Sequence, residues 1–219
     1  PIPPADEHND MALVAQATHA SALLLQGNAR EAERVGSALL TRSIQAVGRY
    51  SISANICASV LADVYYELDR IDDARETIAN RRGLLQSSGP DVMIRTSLCR
   101  ARLDLLQESA DAALAFLQHQ VAHLRSMRQV RAVVHMLAEQ VKVLLLKGDR
   151  TQAREVYLSL EELALAYPSE QGLRAEIPAI AALAKARLLS DEEPETALRA
   201  LQVTRSHAEA FGRGRLTAL

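Results

Sequence analysis

Five alanines constrain this chain more than any other feature. Ala32, Ala74, Ala113, Ala153 and Ala197 each stand five residues after a turn-forming position, and those positions are Gly27, Asp69, Glu108, Gly148 and Glu192. Ala32 to Ala74 is 42 residues, Ala74 to Ala113 is 39, Ala113 to Ala153 is 40 and Ala153 to Ala197 is 44. A small side chain just inside a helix that starts after a tight turn lets two helices lie close together. Recurrence near 40 residues signals stacked supersecondary units, each burying its apolar face only against its neighbours. The pattern predicts an all-α fold, an α-solenoid coiling as a right-handed superhelix of about five helical hairpins. These fall at about 6–47, 49–87, 90–126, 128–166 and 169–210, with the start of a next repeat at 212–219, so that 1–219 forms a single helical-repeat domain.

Composition agrees. Hydrophobic residues make up 48% of 219, enough for a continuous core and too many for wholesale disorder. Aromatics are only 3% and Trp is absent, which favours closely packed helices over sheets that need aromatic and β-branched strands. With 25 basic and 27 acidic residues, no global field draws the chain to nucleic acid or to a membrane surface. Cys57 and Cys99 lack CxxC spacing and sit in apolar helical surroundings, as reduced, packed thiols of a cytoplasmic protein would. No apolar run has the length of a membrane span, and PIPPADEHND lacks the basic and apolar regions of a signal peptide. That stretch reads as a linker, and GRGRLTAL stops as a new apolar pattern begins, so the chain is expected to be a piece of something longer.

Punctuation supports the hairpins. Gly27-Asn28 ends the first helix, and Gly48 follows the second. Ser87-Ser88-Gly89-Pro90-Asp91 and Pro168-Ser169 separate later hairpins. Asp149-Arg150-Thr151 and Asp191-Glu192-Glu193-Pro194 put acidic groups where second helices begin. Pro178 falls inside the predicted first helix of the fifth hairpin and predicts a kink or break there.

Few motifs carry chemistry, and no enzymatic site is expected in this segment. None of the nine glycines opens a GxxxxGK[ST] phosphate loop, and no GxSxG nucleophile elbow is present. His119 and His123, in HQVAH, have the i, i+4 spacing of zinc enzymes, but Gln120 stands where the general base would be and a third ligand is missing. No metal site or cofactor is expected. Arg125, Arg128 and Arg131 recur every three residues; on a continuous helix they would form a stripe, expected to be a solvated face.

Counting back from the alanines gives a more specific set. Arg102 precedes Ala113 by 11 residues, Lys142 precedes Ala153 by 11 and Arg187 precedes Ala197 by 10. A cation repeated at one place in successive first helices would line the inner wall of a superhelix and could bind carboxylate or phosphate. Equally, these cations could satisfy acidic groups on adjacent helices or snorkel to water. Asp63 and Ser21 hold the matching positions in the second and first hairpins, which interrupts the series. Ser59, Tyr66, Arg95 and His135 fall on the same expected wall. The candidate ligand-binding residues are therefore Arg102, Lys142, Arg187, Asp63, Tyr66, Arg95 and His135.

GNAREAERV, ELDRIDDARETI, KGDRTQAREVY and GRGRLTAL, taken with the YYELDRIDDA phrase and the spacing near 40, resemble the tetratricopeptide-like sensor domain of MalT-type regulators, the large ATP-binding members of the LuxR class of transcription factors. The resemblance covers nearly the whole chain. It implies a domain that binds a small-molecule inducer, or a peptide or protein partner, in a concave groove, with possible self-association. It also implies that ATP is bound by a separate N-terminal module and DNA by a separate helix-turn-helix. A plain protein-interaction scaffold, or an accessory domain of another signalling protein, is the competing expectation.

Overall fold

The computed structural model describes residues 10–79, 89–167 and 176–210. GRGRLTAL, Ser87-Ser88, Pro168-Ser169 and all but the last residue of PIPPADEHND lie outside the described residues. Among those described, the chain forms ten α-helices and no strand: α1 Asp10–Leu25, α2 Ala29–Ala46, α3 Ile52–Glu67, α4 Ile71–Ala79, α5 Pro90–Gln107, α6 Ala110–Ser126, α7 Val130–Lys147, α8 Arg150–Ala166, α9 Ile177–Leu189 and α10 Pro194–Ala210. No described helix is long and apolar enough to cross a membrane.

The alanines explain how consecutive helices come together. Ala32, Ala74, Ala113, Ala153 and Ala197 are each the fourth residue of α2, α4, α6, α8 and α10, and all five are buried. Their backbone N–H groups donate to the carbonyls of Asn28, Arg70, Ser109, Asp149 and Glu193 at 2.9–3.2 Å, closing the first turn of each helix. Ser51, Ser109 and Asp149 accept from the backbone N–H three residues on, which caps α3, α6 and α8. The turns before α2, α4 and α8 use left-handed residues, Gly27 at φ 86°, Asp69 at 58° and Gly148 at 85°. Glu108 and Glu192 turn the chain without one: Ser109 N–H reaches back to Asp104 O at 3.0 Å, and Glu193 N–H to Leu189 O at 2.8 Å.

Pro178 puts no kink inside α9. It is the second residue of α9, where its missing N–H leaves no helical bond unmade.

Two compact units share the chain, Pro1–Cys99 and Arg100–Leu219, with α5 spanning the division in sequence. In the first, α1 packs on α2 and α3, α2 on α3, and α3 on α4. One core cluster joins Ala20, Leu24, Ala32, Val60 and Val64, and another joins Leu13, Ala17, Leu39 and Cys57. Gly36 lets α2 approach α3 closely, since a Cβ there would stand 3.3 Å from Leu61 Cδ2. Both cysteines are buried and neither forms a disulfide.

In the second unit α7 is the central element. It packs on α6, α8 and α9, while α9 also packs on α8 and α10. Covered on several sides, α7 buries Ala132, Val133, Val134, Met136, Leu137, Val141, Val143 and Leu144, and it buries Glu139 and Gln140 with them. An amphipathic surface helix would have left those two polar side chains in water. Here they must find partners inside.

Candidate functional site

One face of α7 carries Arg131, His135, Glu139 and Lys142, spaced four, four and three residues apart and so aligned along the helix. Two carboxylates organise this stripe. Glu139, whose side chain is only 6% exposed, accepts from Arg102 of α5 through both oxygens, Nε to Oε1 at 3.1 Å and Nη2 to Oε2 at 3.2 Å. Lys142 Nζ donates to the same Oε1 at 3.3 Å. The fork of a guanidinium matches the two oxygens of a carboxylate, so the pairing fixes orientation as well as charge. Burial pushes the Glu139 carboxyl up, but the Arg102 guanidinium and the Lys142 ammonium outweigh it and hold it down at about 2.

Arg187 of α9 is the third cation here. Its half-buried guanidinium lies within electrostatic reach of Glu139 and of Arg102. Burial pushes it below the ordinary guanidinium value; Glu139 opposes that and Arg102 adds to it. Glu139 is already engaged by Arg102 and Lys142. No carboxylate among the described residues forms an ion pair with Arg187.

The second carboxylate is Glu176, the residue before α9. Arg131 Nε donates to its Oε1 at 2.5 Å and His135 Nε2 lies 2.9 Å from the same oxygen. An ionised carboxylate only accepts, so the ring nitrogen facing it carries the hydrogen. Burial raises this carboxyl as well; His135, with Arg131, overrides it and brings it down to about 2.

Of the cations picked out by counting from the alanines, Arg102 and Lys142 thus meet at one carboxylate, and Arg187 lies within its electrostatic reach without bonding to it. For Arg102 and Lys142 the alternative expectation, an acidic partner on a neighbouring helix or one turn away, describes what the side chains do. His135 joins the same stripe through Glu176. The remaining candidates belong to the first unit. Asp63 is buried, Tyr66 is half-buried near the end of α3, and Arg95 is buried with Nη1 donating to Ser21 Oγ at 3.1 Å. Ser59 is also buried, and its hydroxyl donates to Ile56 O at 2.8 Å.

The expected stripe of Arg125, Arg128 and Arg131 does not form. Helix α6 ends at Ser126, and Arg128 adopts a left-handed φ of 56° in the turn. Arg131 then faces inward to Glu176 with 11% of its side chain exposed. Gln120 is buried between an exposed His119 and a half-buried His123, and no group of three metal-ligating side chains occurs among the described residues.

Sequence reasoning passed over Glu139 and Glu176, and it gave Arg131 to a solvated face. Glu139 had a signal: it is the one acid within VVHMLAEQVKVLLL, an apolar run that predicts burial on most faces, and a buried carboxylate needs a cation. Glu176 had none, because its partners lie 41 and 45 residues away. Among protein-family models, curated proteins and solved structures, no match to this chain is found.

Proposed function

We propose that this chain is the ligand-sensing and protein-interaction domain of a bacterial transcriptional regulator, a right-handed solenoid of tetratricopeptide-like hairpins that holds an inducer or partner in its concave groove. The observation that carries the sensing role is the buried Glu139 of α7 held by Arg102 of α5 and Lys142 of α7, with Arg187 of α9 within its electrostatic reach. A ligand bridging such helices favours one arrangement of them over another, and only that differential affinity can bias an attached switch. The regulator role rests on the likeness of GNAREAERV, ELDRIDDARETI and KGDRTQAREVY to the MalT-type sensor domain. On that likeness, ATP and DNA would be handled by other modules of the parent protein, and this segment would act by binding rather than by catalysis, in the cytoplasm.

Thermal unfolding of the 219-residue protein against sugars, nucleotides and small acids tests the proposal. At least one class should raise the midpoint, and the Arg102→Ala/Lys142→Ala variant, folded by circular dichroism, should lose that rise. Failure of every small molecule to shift the midpoint, with a peptide partner still bound, would replace the sensor by a plain interaction scaffold.

A further inference from the structure

In the first unit the joint between one helical hairpin and the next is built from apolar side chains. Cys57, Val60 and Val64 of α3 cluster with Leu13, Ala17, Ala20 and Leu24 of α1 and with Ala32 and Leu39 of α2, and none of these is more than 5% exposed. Cys57, Val60 and Val64 precede their own alanine, Ala74, by 17, 14 and 10 residues. In α5 and α7 the residues at these offsets are buried, and in α9 they are buried or half-buried. In α1 they are Ala15, Thr18 and Ala22, and all three are exposed. Little in that stripe calls for water. Between Met11 and Leu25, α1 has no ionisable side chain other than His19, and Thr18 Oγ1 already donates to Val14 O at 2.9 Å. A helix apolar on every face belongs under neighbours. The opposite half of the joint is exposed on α10. Four residues after each alanine stand Gly36, Ile78, Leu117 and Tyr157, all buried, and Gly36 is where α2 meets Leu61 of α3. In α10 that position is Leu201, 37% exposed, and Leu198 beside it is 57% exposed. Leu114, which holds the place of Leu198 in α6, is 6% exposed.

We infer that α10 of one copy docks on the Ala15, Thr18 and Ala22 face of α1 in a second copy, repeating between molecules the joint that α2 makes with α3 and α8 with α9. The joint needs a second helix with an exposed apolar flank and a first helix with an exposed apolar stripe. Among the described residues α10 supplies the one and α1 the other, so the chain carries both halves of a contact that it makes within itself elsewhere. The edge of the joint is compatible as well. At three joints an ion pair closes the place where the second helix starts: Glu33 with Arg70, Asp111 with Lys147, and Arg150 and Arg154 with Asp191 and Glu192. Glu195 of α10 stands at the offset of Asp111, and Gln26 stands at the offset of Lys147, both exposed. An amide donates to a carboxylate, so Gln26 suits Glu195, but without the second charge the association is weaker than the joints inside the chain. The two faces are unlike, so association is head to tail. It needs no ligand in the groove and is independent of the sensor proposal.

Sedimentation equilibrium of the full chain tests this. Between about 10 μM and 1 mM, the range of a small interface, the mean mass should rise above that of the monomer. Leu201→Glu and Ala15→Glu change exposed positions and should leave the unfolding midpoint where it is. Each should weaken association about tenfold or more, because the joint would bury an unpaired carboxylate. An equimolar mixture of the two variants should form a one-to-one pair, since each keeps the face that the other has lost. Gln26→Lys should tighten association about threefold by supplying the missing ion pair, and Glu195→Gln should cancel that gain. A wild type that stays monomeric to about 1 mM would overturn the inference and leave the two faces to other partners. A mixture of Leu201→Glu and Ala15→Glu that stays monomeric would also overturn it. So would an Ala15→Glu variant that associates as the wild type does, which would mean that α10 pairs with α10.

Discussion

Glu139 and Glu176 are two solutions to the same problem, and their difference separates a strut from a site. Each is a buried carboxylate held in a cluster along one face of α7, and each is kept ionised down to about 2 against the cost of burial. Glu176 precedes α9 in the chain, where a negative charge also suits the positive end of the helix dipole. Arg131 and His135, both on α7, bond it and tie the start of α9 to that helix. Glu139 sits in the middle of α7 and is bonded by cations from α5 and α7. A guanidinium binds each carboxylate, joined by an imidazole at Glu176 and by an ammonium at Glu139.

Removing each carboxylate gives the largest expected effect and the most direct challenge to this contrast. Glu139→Gln should cost about 3 kcal/mol in denaturant unfolding, since breaking a buried ion pair strands the remaining charges. Glu176→Gln should cost less, about 2 kcal/mol, because only Arg131 keeps a permanent charge there. Equal losses, or the reverse order, would mean that Arg187 adds nothing to the strain around Glu139.

Acid should show the two carboxylates acting alike. Both have folded-state values depressed from 4.5 to about 2. The unfolded chain therefore takes up protons first as pH falls, and stability present above about pH 4.5 declines until the folded carboxyls protonate near 2. Each group contributes on the order of 3 kcal/mol over that window. Unfolding midpoints measured between pH 6 and pH 3 should fall steeply for the wild type and less steeply for Glu139→Gln or Glu176→Gln. A slope unchanged in both variants would show that neither ion pair survives in solution.

The smallest effect is expected at His135. His135→Gln should lose about 1 kcal/mol, since Arg131 still neutralises Glu176 and an amide can still donate to it. A loss as large as that of Glu176→Gln would place the imidazole, rather than the guanidinium, at the centre of the strut.

Much of the local structure was legible in the residues themselves. Gly27, Asp69 and Gly148 marked turns because a left-handed backbone favours glycine and tolerates Asp, and Pro90 and Pro194 opened α5 and α10 as proline at a first helical position should. Counting back from the alanines selected Arg102, Lys142 and Arg187, since equal offsets from buried anchors place side chains at equivalent points of their helices. Arg128 was not legible. Its left-handed φ carries no glycine signal, and only the positions of α6 and α7 on either side require it.

The amino-acid sequence alone determined the helices, their starting points and the buried alanines, because these depend on contacts within a few residues and on the small size of one side chain. Only the tertiary structure decided which charges meet. Arg102 lies 37 residues from Glu139, and Arg131 and His135 lie 45 and 41 from Glu176. Whether such a charge faces water, a counter-ion or another cation depends on the rotation and packing of whole helices. That packing covers α7 on several sides, buries Glu139 within it and brings Arg102 of α5 to its carboxylate.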